Sequence, residues 1–401
     1  MLPDNMLSER MKRLGTENAF QVALRAMKHE EEGNIVYPFH LGDLNFKTPE
    51  RITEAMFRAV QEGKTGYCPA AGIMPLRAAL ADEINRTRKT TYSPENVLIQ
   101  TGGKPVIAKF LLAFMSEGDE VLFPNPGFPI YESFIEFLGG IANPYGFLET
   151  ERGYSIDLDS LEKSITPKTK CIIINDFQNP TGSEASKEER EKLAEIILKY
   201  KLMALIDEAY FDIRYEGKST SMLEIEEIRD NCALLYTFSK KFAMTGWRVG
   251  AMLAPTKYTP QLSKLNVNIE SCTPHFTQYG ALAALKLPDS ENRKIIDELR
   301  LRRDVAVKLL NEVDGVHCPS PNCAFYLYPN VTKLMEEKGF AHNYKDFAED
   351  VLVKTGVSFC TREHFGKIDS NEKECFIRLA FSGVNTEQII KACKALKEYA
   401  G

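Results

Sequence analysis

The chain has 401 residues, of which 44% are hydrophobic and 26% charged, with 20 prolines and 25 glycines. So much apolar material supports a packed core and excludes disordered, collagen-like and low-complexity proteins. Lys and Arg total 50 and Asp and Glu total 56, a net charge of −6 that gives no reason to expect nucleic acid or an anionic membrane as partner.

The opening stretch, MLPDNMLSERMKRLG, mixes acids and bases and lacks the apolar centre of a secretory signal. No run approaches the roughly 18 apolar residues of a membrane span. Nine cysteines without a CxxC pair read as reduced thiols of a cytoplasmic protein. None of the six histidines completes a zinc signature with them, so no metal is expected.

In chain order, short apolar runs at 97–101, 121–124, 171–175, 202–206, 234–238 and 249–253 read as buried strands, mainly parallel. Amphipathic stretches lie between them. In the helix predicted at 187–200, Leu193, Ile196, Ile197 and Tyr200 share a face, and Ser186 with Glu189 forms a capping box at its start. Strand alternating with helix over some 200 residues predicts a doubly wound α/β domain. A long charged helix at 290–313 follows, then a strand at 324–328, a helix at 344–354, a strand at 375–381 and a last helix at 386–399, capped by Asn385 and Gln388. The expected division is a large domain at 50–289 and a small α+β domain at 290–401, completed by residues 1–49.

GxGxxG, P-loop, HExxH and GxSxG motifs are absent. The most specific segment is Thr237-Phe238-Ser239-Lys240-Lys241-Phe242-Ala243-Met244-Thr245-Gly246-Trp247-Arg248. A lysine at the end of a buried strand can form an imine with an aldehyde cofactor, and the hydroxyls and arginine can hold a phosphate beside it. Taken as an isolated dipeptide, Ser239-Lys240 reads as part of a surface loop with solvated lysines. The whole pattern resembles the lysine signature of the class I/II aminotransferases, fold-type I enzymes dependent on pyridoxal 5′-phosphate. The resemblance runs from about residue 15 to the C-terminus.

The resemblance implies a role for each further motif. Lys240 would hold the cofactor and move the substrate's Cα proton. Asp207, in Asp207-Glu208-Ala209-Tyr210, would face the pyridine nitrogen and keep the ring an electron sink. Tyr210 and Asn179, from Asn179-Pro180-Thr181-Gly182, would reach the phenolic oxygen. Gly102-Gly103-Lys104, opening a helix, would form the phosphate cup with Thr237, Ser239 and Arg248. Phe128 would stack on the ring. Tyr67, in Gly66-Tyr67-Cys68-Pro69-Ala70-Ala71-Gly72, would reach the phosphate of a neighbouring subunit, which implies a homodimer with shared sites. Arg378 would clamp the substrate α-carboxylate, helped by Gly42 and Asn179; without the resemblance, an arginine in an apolar strand reads as half of a structural ion pair.

The sequence departs from the family at Phe177-Gln178, which leaves part of the pocket wall open, and at Gly42-Asp43-Leu44-Asn45-Phe46, which leaves the shape of the substrate entrance open. The implied reaction moves an amino group between an L-amino acid and a 2-oxo acid, with elimination, deamination or oxidation as the alternative within the same fold. A non-catalytic cofactor-binding regulator is disfavoured, since no room precedes the resemblance for a DNA-binding module. Lys104 reads either as part of the cup or as the contact for a distal carboxylate, which would make aspartate or glutamate the donor and 2-oxoglutarate the acceptor. Glu17, in Glu17-Asn18-Ala19, weighs against a second carboxylate, and no arginine occurs at 266–278 to bind one from a neighbour.

Overall fold

Seven strands form the central sheet of the computed structural model, which describes residues 6–16, 19–150, 153–370 and 372–401. They are β1 (Val97–Gln100), β2 (Glu120–Pro124), β3 (Ile141–Tyr145), β4 (Thr169–Asn175), β5 (Met203–Asp207), β6 (Cys232–Thr237) and β7 (Gly250–Leu253). Their order across the sheet is β1-β7-β6-β5-β4-β2-β3. Pairing is parallel from β6 to β3, and β7 runs antiparallel to both β6 and β1. The sheet is therefore mainly parallel, as its continuous apolar runs require when both faces are covered.

The alternation along β4 shows how those faces are filled. Ile172 and Ile174 pack with Leu80, Leu193 and Ile196 on one side, while Cys171 and Ile173 pack with Ile107, Phe110 and Ile135 on the other. The helix Lys187–Tyr200 carries the expected box: the Ser186 hydroxyl accepts from the Glu189 N–H at 3.1 Å, and Glu189 Oε2 accepts from the Ser186 N–H at 2.6 Å. Strand β3 was not expected from the sequence. Its residues, IANPY, lack an apolar run, and an edge position tolerates the proline that a central strand would reject.

Beyond the sheet, the long helix spans Asp289–Leu310 and the last helix Thr386–Ala400, with the Asn385–Gln388 box in place. The strands expected at 324–328 and 375–381 are shorter, Tyr326–Leu327 and Ile377–Ala380, and form a three-stranded sheet with Cys360–Thr361. Ala324, at φ 56°, lies outside the extended conformation that the longer strand would need. Tyr37–Pro38 pairs in parallel with Val357–Ser358, which ties the start of the chain to its last hundred residues. Phe39 packs into the same core as Leu299, Phe347 and Ile389. Among the described residues, no helix is long and apolar enough to cross a membrane, and no cluster of three potential ligands could hold a metal ion.

Candidate active site

The parallel strands β4, β5 and β6 end side by side in Asn175, Asp207 and Thr237, and all three residues line one cavity of about 610 Å³. An open α/β sheet gathers its ligands at this edge, because the loops that diverge there leave a crevice.

After β6 the chain turns tightly. Thr237 Oγ1 donates to Ser239 Oγ at 2.9 Å and accepts the Ser239 N–H at 3.2 Å, which turns both hydroxyls toward the cavity. The two adjacent lysines then part. Lys240 enters the cavity, where its Nζ donates to the Gly42 carbonyl at 2.7 Å. Lys241 is held by Glu83 at 2.7 Å and Asp212 at 3.0 Å. Burial alone would lower the Lys241 pKa, but these two carboxylates outweigh it and hold the group above the ordinary lysine value.

Arg248 closes the turn in the left-handed region and donates to the Thr245 carbonyl at 2.7 Å. It packs against Gly102, whose φ of +97° and contact with the Arg248 guanidinium leave no room for a side chain. Gly103 caps the helix Lys104–Phe114 and lines the cavity. The helix N-terminus, the guanidinium and the two hydroxyls thus make a cradle for a phosphate-sized anion.

Asp207 is 5% exposed. Its Oδ2 accepts from the Tyr131 hydroxyl at 2.7 Å and its Oδ1 from the Ala209 N–H at 3.1 Å. Burial pushes its pKa up to about 6 against the pull of these two donors. A carboxylate buried at such cost calls for a cationic partner on the cavity side, such as a protonated ring nitrogen. The Tyr210 hydroxyl shares a 2.5 Å hydrogen bond with that of Tyr326, and burial keeps Tyr210 protonated far above the usual range. Phe128 lines the cavity edge-on to Tyr131, and Lys104 Nζ lies 5.6 Å from the Phe128 ring and 5.7 Å from that of Phe20.

Arg378 is 3% exposed on the strand Ile377–Ala380. It donates to Asn179 Oδ1 at 3.2 Å and the His40 carbonyl at 2.5 Å, while its Nε has no hydrogen-bond partner among the described residues. These contacts replace the structural ion pair that the sequence left open: a buried cation on neutral acceptors is set to receive a carboxylate.

The departure at 177–178 points away from the cavity, and the one at 42–46 does so only from Leu44 onward. Gln178 braces its own turn, donating to the Pro126 carbonyl at 2.7 Å and accepting from Thr181, and Phe177 packs edge-on against Phe211. Gly42 and Asp43 line the cavity, but Asn45 Oδ1 accepts from Arg302, whose guanidinium also covers the Phe46 ring. Tyr67, 88% exposed, stands outside the cavity of its own chain. Glu17 and Asn18 lie outside the described residues.

Among the cavity residues that escaped the sequence reading, Tyr131 and Tyr326 stand out because their hydroxyls reach other site residues. Tyr131 stands three residues after Phe128 at the start of the helix Ile130–Phe137, a spacing that could have exposed it. Tyr326 belongs to an aromatic run, Phe325-Tyr326-Leu327-Tyr328, that looks like ordinary core. The set fits pyridoxal phosphate: an anion cradle, a buried carboxylate for a ring nitrogen, an aromatic face and an amine for the aldehyde.

Comparison with known proteins agrees. The family described as aminotransferase class I and II matches residues 35–396. A probable aspartate/prephenate aminotransferase of Aquifex aeolicus is 32% identical over 98% of both chains. The solved alanine aminotransferase of Pyrococcus furiosus superposes with a TM-score of 0.90 at 28% identity, over 98% of this chain and 99% of that one. The Thermus thermophilus aspartate aminotransferase with maleate gives a TM-score of 0.88 at 26% identity over the same shares. The chain belongs to the class I and II aminotransferases, pyridoxal-phosphate-dependent enzymes that pass an amino group between an amino acid and a 2-oxo acid.

Proposed function

We propose that this aminotransferase works through Lys240, Asp207 and Tyr210 as catalytic residues and takes a dicarboxylic amino acid, aspartate or glutamate, with 2-oxoglutarate as acceptor. The observation that carries the site assignment is the convergence of Lys240, Asp207 and Arg378 on one cavity. When bound, the cofactor supplies an aldehyde for the substrate amine and a protonated ring that accepts the electron pair left at Cα.

The chain's residues do the rest. Asp207 keeps the proton on the ring nitrogen, and Tyr210 and Asn179 donate toward the phenolic oxygen. Gly102, Gly103, Thr237, Ser239 and Arg248 hold the phosphate, with Lys104 at the rim and Phe128 against the ring. Arg378, with Asn179 and the Gly42 backbone, grips the α-carboxylate. The Lys240 amine would take the proton from the substrate Cα as a base and, once protonated, would serve as the acid that gives it back. Lys104 in the cavity wall supports the acidic substrate, as do the aspartate aminotransferases among the relatives and the maleate, itself a four-carbon dicarboxylate, in the Thermus structure.

Three broader expectations belong to the same reading. Exposed Tyr67, with Phe57, Met74 and Ile269 also exposed, supports a homodimer in which Tyr67 completes the neighbour's phosphate site. The pairing of 37–38 with 357–358 supports a small domain of 1–49 and 290–401 around a large one of 50–289. The nine thiols, seven of them buried, support a reducing cytoplasm.

Borohydride treatment of the purified protein, followed by digestion and mass spectrometry, tests the central assignment. The cofactor mass should sit on the Lys240 peptide, and Lys240→Ala should lose both the adduct and turnover while keeping its fold. An adduct on another lysine would overturn it.

A further inference from the structure

Tyr326 touches more of the site than any role assigned so far uses. It lies on the strand Tyr326–Leu327, antiparallel to Ile377–Ala380, with Tyr326 opposite Ala380. Arg378, two residues from Ala380, therefore shares its face of the sheet. The Arg378 guanidinium centre stands 4.7 Å from the Tyr326 ring centroid, within cation–π range. At the other end of the ring, the Tyr326 hydroxyl meets that of Tyr210 at 2.5 Å, and the two rings pack at 77°. The same hydroxyl presses against Gly42, where a Cβ would collide with it, and the Gly42 carbonyl is the acceptor for Lys240. Tyr326 is 2%, Tyr210 6% and Arg378 3% exposed, so the two rings and the guanidinium meet in a buried wall of the cavity.

We propose that Tyr326 is a positioning residue with two separable tasks: its ring fixes the plane of Arg378, and its hydroxyl donates to Tyr210, making Tyr210 a stronger donor toward the cofactor's phenolic oxygen. This rests on the roles given to Tyr210 and Arg378 above. The direction of the bond follows from proton counting. Each phenol has one proton, so a Tyr210 that points its own proton at the cofactor can only accept from Tyr326. Donors in series polarise one another, most of all where water is excluded. The charged groups around the pair are Arg378 against the Tyr326 ring, Lys240 Nζ 5.8 Å from the Tyr210 ring centroid, and Asp207, whose charge also bears on Tyr210. Phe325 packs edge-on against the Tyr210 ring.

The test follows the absorbance of the bound cofactor against pH in the wild type, Tyr326→Phe, Tyr326→Leu and Tyr210→Phe, together with KM for one amino donor in each. A weaker donor leaves the phenolic oxygen more basic, so the loaded protein holds its proton to higher pH. Tyr326→Phe, which keeps the ring, should move the titration midpoint up by about half a unit to one unit and leave KM within about twofold. Tyr326→Leu should move the midpoint equally and raise KM about fivefold or more, as the face over Arg378 is lost. A midpoint unmoved in Tyr326→Phe but moved in Tyr210→Phe would overturn the proposal alone. An equal rise of KM in the Phe and Leu variants would overturn the task given to the ring. If Tyr210→Phe leaves the midpoint in place, the role of Tyr210 itself falls, and the relay with it. Since Tyr326→Phe preserves shape, the hydroxyl task stays testable even if Tyr326→Leu does not fold.

Discussion

The Tyr131 hydroxyl donates to Asp207 Oδ2 at 2.7 Å, and both side chains are buried at the edge of the sheet. Burial is the largest influence on Asp207 and raises its pKa to about 6; the Tyr131 bond opposes it, while neighbouring Glu208 adds to it. Tyr131→Phe should therefore move the acidic limb of the kcat/KM profile upward by about one unit. Cofactor affinity should fall several-fold near pH 6 and approach that of the wild type above pH 8. Rate profiles and equilibrium dialysis check this, and an unmoved limb would reduce Tyr131 to packing.

Asp207→Asn should cost orders of magnitude in single-turnover rate, because an amide cannot keep the ring nitrogen protonated; a loss below about tenfold, only ~1.4 kcal/mol of barrier, would make Asp207 a structural acid.

The cofactor-free protein gives an independent sign. The folded-state pKa of Asp207, about 6, stands above the ordinary 3.8, so the folded state binds this proton more tightly than the unfolded one. Stability from Asp207 is then fullest below pH 3.8 and is lost as pH rises through 6. The asparagine variant lacks that loss. Its melting temperature relative to the wild type should climb between about pH 4 and 6 and level off above, as calorimetry would show.

Arg378 and Lys104 should separate two carboxylates. Arg378→Leu should lower kcat/KM for every donor alike, by about a hundredfold or more, since the α-carboxylate is common to all. Lys104→Ala should lower it for aspartate and glutamate about tenfold more than for alanine. Equal losses for acidic and neutral donors would return Lys104 to the phosphate cup and reopen the choice of substrate.

Tyr67 should act on the neighbouring subunit. Mixing Lys240→Ala with Tyr67→Phe subunits should give hybrids with one undamaged site and one doubly damaged. At limiting cofactor, the mixture should then outperform both parents. Sites confined to single chains would leave every site with a lesion, and no gain would be seen.

The sheet was legible because its inner strands are unbroken apolar runs between helices, and Asn175, Asp207 and Thr237 could be placed as strand ends from that pattern. The edge strand β3 was not legible, since a half-exposed strand with Asn143 and Pro144 has no such run. Residues that carry charge or glycine stood out at Lys240, Asp207, Arg248 and Gly102. Tyr131 and Tyr326 did not: an aromatic side chain looks the same in sequence whether its hydroxyl is idle or reaches across the fold to a partner 76 or 116 residues away. The departures at Gln178 and Asn45 were visible as letters, but only three dimensions show that they brace loops outside the cavity.

Two primary amines stand next to each other in the turn after β6, and an aldehyde does not distinguish lysines by their chemistry. Under the assignment proposed for Lys240, Glu83 and Asp212 would contribute to the distinction. They pair with Lys241 and favour its ammonium form, whose nitrogen has no lone pair for condensation. One carboxylate on a helix and one on a loop would then act as a protecting group for the second of two identical nucleophiles.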